Sequence, residues 1–137
     1  MPRLQRLTVP DLAQPPGYAH VVVATGTRLM TTAGAVPLDG EGNLVGAGDV
    51  RAQARQTLHN LMRQLEAVGA SGEDVLKTTV YVASTDRADL VACWEEVQRS
   101  PLAAAASTLL GVALLGYAGQ LVEIEAIALL PWCDAKL

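Results

Sequence analysis

Two glutamates near the C-terminal end of the 137-residue sequence are the strongest candidates for acid–base chemistry. Glu123 and Glu125 stand among apolar residues in the segment 121–128, which has the composition of a strand. Side chains two residues apart on a strand point to the same face, roughly 6–7 Å from each other. A carboxylate with apolar neighbours is costly unless it is paired, and such groups serve as general acids or bases. The alternative interpretation is that both glutamates face solvent or bind cations of another subunit.

The remaining reactive side chains do not have the spacing of a metal site. The sequence has two histidines, His20 and His59, and its two cysteines, Cys93 and Cys133, are forty residues apart. It contains no C-x-x-C, no H-E-x-x-H and no phosphate-binding G-x-x-x-x-G-K-[ST] motif. We therefore expect no metal and no nucleotide cofactor, and we expect Cys93, on an apolar helical stripe, to be a core residue.

Composition limits the partners as well. Half of the residues are hydrophobic, 18% are charged, and the net charge is −4 without runs of either sign. These values predict a single domain over 1–137, with a tail at 131–137. The prolines within residues 1–16 lack the N–H that a sheet ladder needs, so we expect an irregular or edge arm there. We expect no nucleic-acid partner and no membrane partner, and the lack of an apolar N-terminal stretch favours a cytoplasmic location.

The periodicity of the chain predicts the elements that position the two glutamates. The order is β-β-(β)-α-β-α-β-β, with a long helix from Asp49, its N-cap, to Gly69, and a second helix from about Thr85 to before Pro101. This order predicts an α+β fold in which both helices pack on one face of a sheet. The strands are apolar on both alternations, so we expect the other face to be buried by another subunit.

Several segments together resemble the Rid (reactive intermediate deaminase, or YjgF) family. The resemblance is carried by residues 18–22, 37–42, Gln53, Thr57, Asn60, Leu61, 68–82 and 122–128, and it covers roughly residues 16–130. It implies a chorismate-mutase-like fold and a homotrimer with small-molecule ligands in three clefts between subunits. It also implies a cofactor-free hydrolase that converts reactive imines or enamines to ketoacids and ammonia.

The resemblance further implies roles for three residues. Tyr18 is similar to the aromatic residue that closes the family's cleft, and Asn60 to an asparagine of the long helix. Glu123 is similar to the acid that orients water, which makes it the candidate catalytic residue.

One family motif is altered. Where the family has an arginine in a Pro-Ala-Arg-[Ser/Thr] motif, this chain reads Ala-Ala-Ser-Thr over 105–108, so Ser107 is placed at the arginine position. A guanidinium grips a substrate carboxylate with two hydrogen bonds, and its loss weakens binding of charged ligands. Arg28 or Lys77 are the cations that could replace it.

A second altered motif also indicates a site with fewer polar groups for substrate binding. The family's Ser-Gly-Gln reads Ala33-Gly34-Ala35 here, which removes a hydroxyl and an amide from the predicted substrate-binding wall. We therefore expect a divergent protein that acts on or binds a small metabolite without a carboxylate anchor, such as a biosynthetic intermediate, through proton transfer by Glu123. The alternatives are a non-catalytic trimer that binds a small ligand or a partner, and a weak 2-iminoacid or enamine deaminase.

Overall fold

The computed structural model describes residues 3–131. In chain order its elements are β1 (Leu4–Leu7), β2 (Val21–Ala24), β3 (Leu29–Thr31), α1 (Val50–Glu66), a 3-10 turn (Gly72–Asp74), β4 (Val75–Val82), α2 (Arg87–Gln98), β5 (Ala106–Gly111) and β6 (Val122–Leu129). Strands β3, β6, β4 and β5 form one sheet in that spatial order, and β1 pairs with β2 in a separate two-stranded sheet. Only the β4–β5 pair of the larger sheet is parallel. The predicted α+β fold is confirmed.

The ends of α1 follow from local chemistry. The Asp49 carboxylate accepts the Ala52 backbone N–H (3.0 Å) and so caps the first turn. Gly69 ends the helix region at a φ of +76°, which is costly for other residues. Leu61 and Leu65, four residues apart, are fully buried and pack in the same core cluster as Ile124 of β6.

An ionic cluster joins the two helices. The Glu96 carboxylate of α2, whose side chain is 6% exposed, accepts hydrogen bonds from Arg51 and Arg55 of α1 and from Arg99. Burial by itself would raise the pKa of Glu96, but the Arg55 and Arg51 hydrogen bonds outweigh it, and the pKa is lowered below its usual value. The cluster therefore fixes α2 against α1 with a charged carboxylate.

The N-terminal arm and one short strand can be compared with the expectation. In the arm, expected to be irregular or an edge segment, residues 4–7 form a strand of the two-stranded sheet, which pairs antiparallel with β2. The bracketed third strand of the expected order, which falls at 44–45, is reduced to one bridge between Leu38 and Leu44. The tail from 132 onward, with Cys133, lies outside the described residues.

The face of the sheet opposite the helices carries the glutamates. The β4–β6 register sets Tyr81 opposite Glu123 and Thr79 opposite Glu125, and Ile127 of the same face is exposed. Leu129, the next residue on this face, is buried where Gly26 packs on it. The middle of the face is therefore open to solvent in the single chain.

Candidate functional site

Glu123 is held from two sides. Its Oε1 accepts a hydrogen bond of 3.0 Å from Nε2 of Gln120, and the carboxylate lies directly against Gly34. A Cβ built on Gly34 would be 2.1 Å from Oε2 of Glu123, so no side chain fits at that position without displacing the carboxylate. Among the described residues, Oε2 receives no hydrogen bond. One oxygen is thus fixed and the other is available to a ligand.

Glu125, on the same face, is already paired. The Tyr81 hydroxyl donates a hydrogen bond of 2.5 Å to its Oε1. This bond, burial and the nearby carboxylates of Glu125 and Glu123 raise the pKa of the Tyr81 phenol. Each of the two predicted acids therefore has one hydrogen-bonded oxygen and, among the described residues, one oxygen without a hydrogen bond. They differ in that Glu125 is bound by the Tyr81 phenol and Glu123 by the Gln120 amide.

Lys77 brings a positive charge to this face, at some distance from Glu123. Its Nζ donates to Thr108 Oγ1 (2.6 Å), and the strand register places it between Ala106 and Ile127. It is one strand across from Glu123 and four residues along, roughly 14 Å between Cα atoms at standard strand dimensions. Arg28 directly precedes β3 and lies beside the C-terminal end of β6, where its carbonyl accepts the Leu130 N–H. Neither side chain is bound to the Glu123 carboxylate.

Tyr18 and Ser107 meet in a different place. With Pro16, Trp94 and Leu109 they line a pocket of about 230 Å³ between β5 and α2. The Tyr18 and Trp94 rings are edge to face with centroids 6.0 Å apart, and Trp94 Nε1 donates to the Pro16 carbonyl (3.3 Å). This pocket is aromatic, and none of its lining residues is charged.

The structure does not bring Ser107 to the face of Glu123. Ser107 Oγ accepts a hydrogen bond from Thr78 (2.8 Å), whose side chain is buried on the helix side of β4. Alternation along β5 places Ala106 instead on the face of the glutamates. From the register, Ser107 and Glu123 are roughly 14 Å apart between Cα atoms and point to opposite sides of the sheet.

The other predicted substrate-binding residues, Asn60, Ala35 and Ala33, lie in or beside the segment that contains Gly34. Asn60 Nδ2 donates to the carbonyls of Val36 (2.7 Å) and Leu38 (2.8 Å), which fixes that loop on α1. Ala35 is buried in the core and its backbone pairs with Ile124 of β6, so its side chain does not line the open face. Ala33 is exposed, and its carbonyl accepts from Gln64 (3.3 Å).

Four residues that the sequence did not single out contribute to the Glu123 face or to the Tyr18 pocket. Alternation in β4 could have indicated Tyr81, and the glycine between two alanines could have indicated Gly34. Trp94 lies on the apolar stripe of α2, a pattern that indicates core packing and not a place in a pocket. Gln120 lies before β6, outside any regular element, and the sequence there has no periodicity from which the direction of a side chain could be predicted.

Other candidate chemistry is limited in the part of the chain that the structure describes. Within residues 3–131 no three histidine, cysteine or acidic side chains lie together as a metal site. Cys93 is buried in the core, and burial followed by the nearby Glu96 charge raises the pKa of its thiol to about 12. No helix in this range has the length and apolar character needed to cross a membrane.

Comparisons with known proteins agree with this fold. The sequence model described as Endoribonuclease L-PSP matches residues 11–130. A RutC family protein of Synechocystis is 35% identical over 116 residues, which is 83% of this chain and 86% of that protein. The crystal structure of a Rid family protein of unknown function from Yersinia pestis has a TM-score of 0.82 and 34% identity, and the match covers 93% of this chain and 99% of that one.

A relative with a named activity matches over a shorter segment. The 2-iminobutanoate/2-iminopropanoate deaminase of Salmonella typhimurium is 44% identical over 54 residues, which is 39% of this chain and 41% of that enzyme. The match to a RutC family protein of Pyrococcus horikoshii likewise spans 40% of its length. The full-length matches carry the assignment, and the chain belongs to the Rid family.

Proposed function

We propose that this chain is a divergent Rid protein that hydrolyses a small, neutral imine or enamine, with Glu123 as the proton-transferring residue and no cofactor. The observation that carries the proposal is the Glu123 carboxylate, with Oε1 fixed by Gln120 and Oε2 open above Gly34. On strands β3 to β6 the cation of this face is Lys77, and Ala106 is the small residue beside it. A substrate carboxylate has no guanidinium partner there, which favours substrates without one.

The site is proposed to lie between copies of the chain in a homotrimer. The Tyr18 pocket and Glu123 are on opposite faces of one sheet, so a single chain cannot apply both to one small ligand. Apolar residues on the open face, including Ile127 and Leu110, are exposed in the single chain. A neighbouring copy would cover them and would bring a second wall to Glu123.

The proposed reaction balances with water alone. Glu123 takes a proton from water as the oxygen attacks the imine carbon, and it returns that proton to the nitrogen. Glu123 then takes the hydroxyl proton of the resulting amino alcohol and passes it to the nitrogen, so the C–N bond breaks, ammonia leaves, and a ketone or aldehyde remains. The carboxylate ends in its starting state.

A pair of imines that differ in one carboxylate tests the proposal. A flavin-dependent amine oxidase acting on benzylamine supplies a neutral imine, and an amino-acid oxidase acting on alanine supplies 2-iminopropanoate. The decay of each imine is followed by semicarbazide trapping with and without the protein. We expect at least tenfold faster decay of the neutral imine and near-background rates with 2-iminopropanoate. Equal or greater acceleration of 2-iminopropanoate would overturn the substrate class, and no acceleration of either would overturn the enzymatic function.

Lys77 supports a second candidate, a weak 2-iminoacid deaminase. Lys77 is paired with Ala106 on the glutamate face, and its ammonium group, bonded to Thr108 Oγ1, could attract a substrate carboxylate. The Salmonella relative carries that activity in its name. In the same experiment this candidate predicts slow turnover of 2-iminopropanoate that Lys77→Met abolishes.

A further inference from the structure

Gln120 is a buried amide whose hydrogen-bonding groups are all in use. Its side chain is nearly inaccessible, with the residue only 3% exposed. Nε2 donates to the Val122 carbonyl (3.0 Å) and to Glu123 Oε1 (3.0 Å), while Oε1 accepts the Tyr117 backbone N–H (3.1 Å). A flipped amide would set its oxygen against two acceptors and its nitrogen against a donor, so one orientation is selected.

The backbone on either side of Gln120 is fixed separately. Gln53 of α1, fully buried, donates to the Gly119 carbonyl (3.1 Å) and accepts the Leu121 N–H (2.7 Å). The main chain around Gln120 therefore cannot follow movements of the preceding segment freely. The side chain of Gln120 remains as the direct link between Tyr117 and Glu123.

The preceding segment, residues 112–119, forms an uncharged loop that we call the apolar loop. Leu114 is 77% exposed and Tyr117 is 54% exposed, although large apolar side chains normally lose contact with water. Together with Ala83, Gln120 and Leu121, the loop borders a cavity of about 480 Å³. A ligand group in this cavity would contact the residue that also holds Glu123.

We propose that Gln120 is a positioning residue for Glu123, coupled to the apolar loop through the Tyr117 backbone. By holding Oε1, it directs Oε2 toward the open side above Gly34 and selects that oxygen for proton exchange. This inference rests on the proposed function, because it assigns Gln120 a part in the turnover by Glu123. It adds a residue from outside the altered motifs to the site.

Kinetics of two matched variants test the positioning role. Gln120→Met keeps a side chain of similar length and removes the amide, and Gln5→Met makes the same exchange at an exposed position on β1. With the neutral imine from benzylamine, we expect Gln120→Met to lower kcat at least tenfold with KM within twofold, and Gln5→Met to change neither. Loss confined to KM, or an unchanged kcat, would overturn the role.

A measurement without turnover separates this inference from the proposed function. The two Nε2 protons of Gln120 give a distinct pair in a proton–nitrogen NMR correlation spectrum. We expect Glu123→Ala to move one proton of the pair upfield and to leave the proton bound to the Val122 carbonyl nearly in place. An unchanged pair would refute the Gln120–Glu123 bond itself. A shifted pair in a protein that accelerates no imine would retain the bond and reject the proposed function.

Discussion

Gly34→Ala should remove activity while leaving the fold intact. The added Cβ would lie 2.1 Å from Oε2, 2.6 Å from Cδ and 2.7 Å from Cγ of Glu123, all shorter than real contacts allow. The carboxylate must therefore move by about 1 Å, while Gln120 still binds Oε1. A misplacement of about 1 Å at a reacting group lowers rates on the order of 100-fold, so we expect a loss of that size in kcat.

The stability of the same variant should change little. Gly34 does not adopt a positive φ, so alanine meets no backbone strain there and reduces the entropy of the unfolded chain. The displaced atoms belong to a flexible side chain, and we expect the free energy of unfolding to change by less than about 1 kcal/mol.

Gly40→Ala is the matched control, because a Cβ there meets nothing within 4 Å and φ is again not positive. The assay is imine decay together with urea unfolding for both variants. Full activity of Gly34→Ala with Glu123 in place would refute the claim that the carboxylate acts from its position above Gly34.

Three further outcomes follow from other contacts. Thr57→Val should raise the free energy of unfolding by about 1 kcal/mol in a urea titration, because Thr57 Oγ1 is buried and has no hydrogen-bond partner among the described residues; a loss of stability would show that the hydroxyl is paired. Since folding lowers the pKa of Glu96, its stabilising contribution is present above the unfolded value of about 4.5 and is lost as the pH falls through the folded value. Urea titrations at pH 7 and pH 4 should therefore differ less in Glu96→Gln than in the unaltered protein, and an equal difference would contradict the ionic cluster. Ala106→Arg should increase turnover of 2-iminopropanoate at low concentration at least tenfold, whereas Ser107→Arg, on the helix side of β5, should not; the reverse order would show that the assigned faces of β5 are wrong.

The sequence predicted the parts of the structure that local chemistry determines. Asp49 and Gly69 marked the ends of the α1 region because a cap and a left-handed turn each leave a residue-type signal. Alternation placed Glu123 and Glu125 on one face because a strand has a period of two regardless of its partners.

The site could not be predicted to the same extent because it depends on register and on loop geometry. A shift of one residue exchanges Ala106 and Ser107 between the two faces of β5, and motif matching did not fix that shift. Asn60 proved to bind the backbone of the 36–38 loop, and its position on a helix flank does not reveal this. Gln120 lies outside the strand, where spacing carries no information about direction.

Turnover by Glu123→Gln, measured on the neutral imine beside Glu41→Gln as an exposed control, tests the role of Glu123 most directly. The amide keeps the shape of the carboxyl group and cannot exchange the proton, so Glu123→Gln should lose at least 100-fold in kcat with an unchanged melting temperature. Glu41→Gln should retain the activity of the unaltered protein. Turnover by Glu123→Gln within threefold of that level would contradict proton transfer by Glu123.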